Sequence, residues 1–207
     1  MESKATALFF LINELWKKDK LTLLHSYRVT EMAVSFAKHL QLKDSELKII
    51  ELGSLLHDIG KINIKEKILR KKGKLNLDEY EEIKHHPLYG AELLRPFHTL
   101  NGKIKEMALY HHERWDGSGY PYGIKNEDIP LYTRVLSLVD SVEAMTGVRP
   151  YRNSLTWDEA IIEVARGSGT QFEPRYSEEC IKWMESFQPN NESNTEHILK
   201  NISSLFL

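Results

Sequence analysis

Seven side chains of metal-binding type recur along this sequence: His25, the doublet His57-Asp58, His86, the doublet His111-His112, and Asp140. Five of the nine histidines belong to that set, and the only thiol is Cys180. Imidazole mixed with carboxylate suits first-row transition metals, whereas calcium and magnesium prefer oxygen alone. His25 shares a helical stripe with Val29, Met32 and Phe36, the i, i+4, i+7, i+11 pattern of one buried face. A lone histidine on such a face is more often a core residue bonded to backbone. Asp140 lies within RVLSLVDSVEAM, where a carboxylate must be paired or metal-bound because burying an isolated charge is prohibitive. A salt bridge to an arginine is its competing reading.

The doublets add a different signal. Consecutive helical residues point roughly 100° apart, so the imidazole of His57 and the carboxylate of Asp58 can serve two adjoining metals, with the carboxylate bridging. His111-His112 repeats that arrangement. Of the pair His85-His86, the residue held against Pro87 is the better candidate, and His85 is expected to be solvated. His39, His98 and His197 have no companions at useful spacing and read as surface or capping residues. Ligands spread over five helices suit a bundle-core site. Two cations roughly 3.5–4 Å apart there would lower the pKa of a bridging water and neutralise charge on a phosphoryl oxygen, so the chemistry implied is hydrolysis.

Lys61 follows Gly60 just beyond a helix end, where its ammonium could meet a phosphate or merely complement the helix dipole. Arg149 and Arg152 flank Pro150 and could fork onto phosphate oxygens, or lie on the surface. Gly117 and Gly119 free the backbone to fold Trp115 and Tyr120 over a cleft, with Trp115 as core and Tyr120 as rim.

Elements that would position these groups are helical almost throughout. The periodicity predicts helices over 5–18 and 21–40, and from Asp44 as N-cap to about His57. A basic connector reads as an exposed loop with at most one helical turn. Further helices are expected near 77–86, from Pro87 onward, and over 102–112, 131–146, 156–166 and 177–187, with a weaker one at 194–206. No stretch alternates with a period of two. The expectation is an all-α fold: residues 1–20 an accessory N-terminal helix, 21–190 a single helical domain with a metal centre in its core, and 191–207 a C-terminal helix or tail. Phe9, Phe10 and Trp16 on the first helix offer a candidate docking or dimer surface, with packing on its own domain the alternative. The 207 residues suit one substantial core. Lys+Arg 28 against Asp+Glu 30 leaves a net charge of −2, so neither DNA nor an anionic membrane would be captured by bulk charge, and any phosphate binding must be local. The absence of an apolar run of membrane-spanning length, a poor secretory signal and the solitary Cys180, expected to be buried, point to the cytoplasm.

HDIGK (57–61), IKHHPLYGAELL (83–94), HHERWDGSGYP (111–121), LVDSVEAMTGVRPYR (138–152) and GTQFEPR (169–175) together make the chain resemble the HD-GYP family. These are bacterial metal-dependent phosphodiesterases within the wider HD superfamily of phosphohydrolases, and the likeness covers residues 21–176. The resemblance implies a helical domain that hydrolyses cyclic di-GMP by attack of a metal-bridging hydroxide, giving the linear dinucleotide, with further cleavage to GMP left open. It implies a di- or trimetal centre of iron or manganese held by His25, His57, Asp58, His86, His111, His112 and Asp140. Asp58 and Lys61 would be catalytic, and Lys61, Tyr120, Arg149 and Arg152 would meet the substrate. One position departs from the pattern: Leu21 stands where members thought to hold three metals carry a glutamate, so two metals are expected. The alternatives are an HD phosphohydrolase for another cyclic dinucleotide or nucleotide, and a signalling adaptor whose GYP loop docks a partner such as a sensor, receiver or diguanylate cyclase domain.

Overall fold

Two helices meet at Asp19: α1 (Glu2–Lys18) and α2 (Lys20–His39). The Asp19 carboxylate accepts from the Leu21 amide at 3.1 Å and the Thr22 hydroxyl at 2.7 Å, satisfying a donor that the first helical turn leaves open. The computed structural model describes residues 2–97, 102–147 and 154–187. Across a short turn lies α3 (Asp44–Leu56). Its N-cap is Lys43 rather than the expected Asp44: the Lys43 amide donates to the Glu46 carboxylate at 3.0 Å. Asp44 is instead the first helical residue, where its charge favours the dipole.

The connector after His57-Asp58 is more ordered than its basic composition suggests. A 3₁₀ turn spans Ile59–Asn63 and α4 spans Glu66–Leu69, and Ile64 and Ile68 are buried. The reason is a pair of apolar anchors spaced one turn apart inside a run of lysines. A capping box between Asn76 and Glu79 opens α5 (Leu77–Ile83). Pro87 occupies the first turn of α6 (His86–Leu94), where its missing N–H costs nothing. Helix α7 (Gly102–Tyr110) stops just before the His pair, which lies in the following turn. A long loop then leads to α8 (Leu131–Thr146), α9 (Trp157–Gly167) and α10 (Pro174–Ser186). Among the described residues there is no strand, only an isolated bridge between Ser168 and Phe172, so the all-α expectation holds. The helix expected at 194–206 lies outside the described residues.

Two apolar clusters hold these helices together. One joins Phe36 of α2 to Leu136, Val139 and Val142 of α8, Val164 of α9 and Trp183 of α10; Cys180 is buried here as expected. The other joins Leu8, Ile12 and Leu15 of α1 to Leu23, Leu56, Ile59, Leu94 and Ile104. Each such side chain, fully buried, stabilises the fold by about 1.5–3 kcal/mol. Helix α1 therefore packs along one face on its own domain, while Phe10 on the other face is 59% exposed. Helix α2 belongs to both clusters, and His25 sits on its first half. No helix among the described residues is long and apolar enough to cross a membrane.

Candidate metal centre

All seven side chains singled out above converge. Helix α2 brings His25, the end of α3 His57 and Asp58, the first turn of α6 His86, the end of α7 His111 and His112, and α8 Asp140. Their ligand atoms fall into two groups, one of His25, His57 and Asp58 and one of His86, His111 and His112. Asp58 lies between them. Its Oδ2 is 3.5 Å from His57 Nε2 and 3.9 Å from His25 Nε2, and its Oδ1 is 3.2 Å from His86 Nε2 and 3.8 Å from His111 Nε2. Asp140 Oδ1 lies 2.9 Å from His25 Nε2 and 3.8 Å from His57 Nε2. The partner of Asp140 is thus a histidine rather than an arginine; nearby Arg28 pairs with Glu143 instead.

Tautomers follow from the backbone. The Nδ1 atoms of His57, His86 and His111 lie 2.6, 2.8 and 3.0 Å from the carbonyls of Ser54, Ile83 and Ala108. A carbonyl only accepts, so each ring holds its proton on Nδ1 and turns a bare Nε2 inward. Burial, and then the neighbouring imidazoles, hold His111 far below its ordinary pKa; burial and His86 bring His112 down to about 3. These rings are neutral, as metal ligands must be. His86 Nε2 and His111 Nε2 face each other at 3.1 Å, and Asp58 Oδ1, fully buried, has no hydrogen-bond donor among the described residues. A knot of lone pairs with no donor to satisfy it costs free energy, and divalent cations satisfy all of these atoms together. The residues fit the group.

His25 is held differently. Its Nδ1 faces Glu143, which also accepts from Arg28 Nε at 2.5 Å. Burial alone would lower its pKa, but hydrogen bonds to Asp140 and Glu143 outweigh burial and raise it to about 9. Conversely, burial would raise Asp140, and the His25 hydrogen bond holds it well below the carboxylate range. Asp58 is also held low against its burial, by the Lys61 ammonium at 2.6 Å.

Glu143 and Arg28 did not stand out in the sequence, although Glu143 follows Asp140 by three positions on the same buried helix face. Glu113 is another such residue. Its Oε1 accepts from the amides of Tyr122 at 2.7 Å and Gly123 at 3.1 Å, clamping the loop that carries Tyr120. Tyr120 lies half-buried on the His112 ring, centroids 4.7 Å apart. Trp115, expected as core, is only half-buried, with the Arg134 guanidinium 5.9 Å from its ring. Gly117 does adopt positive φ, +80°. Gly119 does not; it is required because a Cβ there would lie 2.5 Å from the Arg114 nitrogen and 2.6 Å from the His112 carbonyl.

The centre opens on a cleft of about 660 Å³ whose lining includes His25, Lys61, Arg28, Leu21 and Ile83. Leu21 lies one turn before His25, 54% exposed, and offers no donor atom. His85 is exposed, bonded to the Glu81 carbonyl, and His39 contacts Glu179 at 3.2 Å; neither joins the centre. Arg149, Arg152, His98 and His197 lie outside the described residues.

A cyclic di-GMP phosphodiesterase of Pseudomonas aeruginosa is 35% identical over 176 residues, 85% of this chain and 42% of that protein. A 3'3'-cGAMP-specific phosphodiesterase of Vibrio cholerae is 33% identical over 187 residues, 90% of this chain and 36% of that protein. The chain therefore spans about two fifths of the length of these curated relatives. In fold it is similar to an HD-GYP protein from Bdellovibrio bacteriovorus, with a TM-score of 0.64 at 17% identity, covering 78% of this chain and 51% of the other. The profile of the family described as HD domain matches residues 10–176. That stretch holds all seven converging side chains, so the chain belongs to the HD domain family, and its motifs are those of the HD-GYP members.

Proposed function

We propose that this chain is a metal-dependent phosphodiesterase that hydrolyses cyclic di-GMP to the linear dinucleotide, with onward cleavage to GMP. The observation that carries the reading is the inward convergence of bare Nε2 atoms on both oxygens of Asp58, beside a cleft rimmed by Lys61. His25, His57, Asp58 and Asp140 would hold one divalent cation, and Asp58, His86, His111 and His112 a second; the donor set suits iron or manganese. Leu21, in the cleft wall one turn before His25, offers no oxygen to a third, so two cations are proposed. When bound, such a pair supplies an activated water and neutralises charge developing on phosphorus.

The chain's own residues do the rest. Asp58 ties the two groups of ligands together and keeps its negative charge. Lys61 stands between Asp58 and the cleft, where it can donate to a phosphoryl oxygen as charge builds there. Glu143 accepts from His25 Nδ1 and so turns its Nε2 toward Asp140. Tyr120 shields the His112 face from water, and Arg149 and Arg152, by their place in the motif, would meet the substrate phosphates. Leu21, Leu69 and Ile83 give the cleft an apolar wall suited to a nucleobase face.

The test is metal-loaded protein incubated with cyclic di-GMP and resolved by product chromatography. The linear dinucleotide should appear, and chelation should abolish it. Cyclic di-GMP left intact while another phosphoester is cleaved would move the substrate elsewhere. A second reading is 3'3'-cGAMP as the preferred substrate, supported by the Vibrio cholerae relative and by a metal centre that reads only phosphate; the same assay with both dinucleotides decides.

A further inference from the structure

The cleft holds more positive charge than the metal centre uses. Beyond Lys61 and Arg28, the α1–α2 junction contributes Lys17 and Lys20, and the segment after α4 contributes Arg70, Lys71 and Lys72; among the described residues, the acidic residue of the lining is Asp19. In a chain of net charge −2 this is a local concentration. Asp19 is occupied at the start of α2. Lys17 pairs with Glu14 at 2.7 Å and Lys71 with Glu79 at 2.5 Å. Arg70 pairs with Glu66 and also donates to the carbonyl of Lys18 at 2.6 Å, tying the two cationic segments to each other.

Lys20 and Lys72 remain. Among the described residues neither has a carboxylate within ion-pair distance; Lys20 instead rests its ammonium 5.1 Å from the Trp16 ring centre. Two ammonium groups without a carboxylate partner, lining one cleft, focus potential toward an anion. Lys61, by contrast, is committed to Asp58, so the cleft has two cationic stations, one at the metal centre and one on this wall.

A cyclic dinucleotide carries two phosphodiesters, and only one can occupy the metal centre at a time. Resting on the phosphodiesterase reading above, we propose that Lys20 and Lys72 bind the phosphate that is not being cut, and that they make the site selective for substrates with two phosphates over those with one.

The experiment compares the metal-loaded wild type with the double variant Lys20→Ala/Lys72→Ala and the charge-keeping Lys20→Arg/Lys72→Arg. Substrates are cyclic di-GMP and bis(p-nitrophenyl) phosphate, whose single phosphate has no second group to reach the wall. The alanine pair should raise KM for cyclic di-GMP about tenfold with kcat changed less than about twofold, leave both constants for the small ester unaltered, and flatten the salt dependence of KM. The arginine pair should stay near wild type. An unchanged KM for cyclic di-GMP, or an equal loss on both substrates, overturns the proposal. Wild-type protein that cleaves the small ester but no cyclic dinucleotide instead overturns the underlying reading, and does so before any variant is made.

Discussion

At the scale of single residues, the centre depends on where protons sit. In metal-free protein His25 is an imidazolium, since its pKa stands at about 9 against an ordinary 6.5. A raised pKa means that its stabilisation is complete below pH 6.5 and fades as pH rises through about 9. Calorimetric melting of chelated protein should therefore show Tm falling across that window, while metal-loaded protein, with a cation in place of the proton, should not show that fall. Metal binding must expel the same proton, so apparent affinity should rise roughly tenfold per pH unit below 9; titration calorimetry in buffers of different ionisation enthalpy reads the release. Asp58→Ala removes the carboxylate that lies against both ligand groups. It should lower kcat by roughly a thousandfold or more and cut the metal content seen by mass spectrometry, with the helical circular dichroism retained.

At the scale of elements, two close approaches hold the ligand-bearing segments. Gly60, in the 3₁₀ turn after His57-Asp58, lies so near α6 that a Cβ would come 1.9 Å from the His86 carbonyl and 2.4 Å from the Gly90 amide. Both contacts are backbone and cannot yield. Gly60→Ala should cost about 2–3 kcal/mol, lowering Tm by roughly 4–12 °C in a protein of this size, and should move His86 away from Asp58. Its fold-dependence explains why the sequence suggested only a helix end at Gly60. Glu113 is the second anchor. Glu113→Ala leaves the amides of Tyr122 and Gly123 without their acceptor and should cost about 1–3 kcal/mol. Hydrogen exchange should show residues 117–124 losing protection while α8 keeps its own.

At the scale of the whole molecule, the helices are held by two apolar clusters that contain no ligand, whereas the centre between α2, α3, α6, α7 and α8 is polar, and its half around His86, His111 and Asp58 Oδ1 is left without donors when no cation is bound. Chelation should therefore leave the fold standing but less stable. A metal present at a thousand times its dissociation constant stabilises by about 4 kcal/mol, equivalent to a Tm higher by roughly 8–16 °C, and differential scanning calorimetry of loaded and stripped protein measures it.

Side-chain type and helical period are local properties, so the sequence by itself determined the all-α class, most helix positions to within a few residues, and the seven candidate ligands at their intervals. Arg149 and Arg152 rest on their motif alone. Only the tertiary structure decided what depends on how helices pack. His25 meets Glu143 across 118 positions of chain. Gly60 meets the backbone of α6, and Lys20 and Lys72 come to line one cleft although the chain as a whole is nearly neutral. Meetings of that kind are set by the crossing of elements distant in sequence, and no local pattern of residue types encodes which atoms will face each other there.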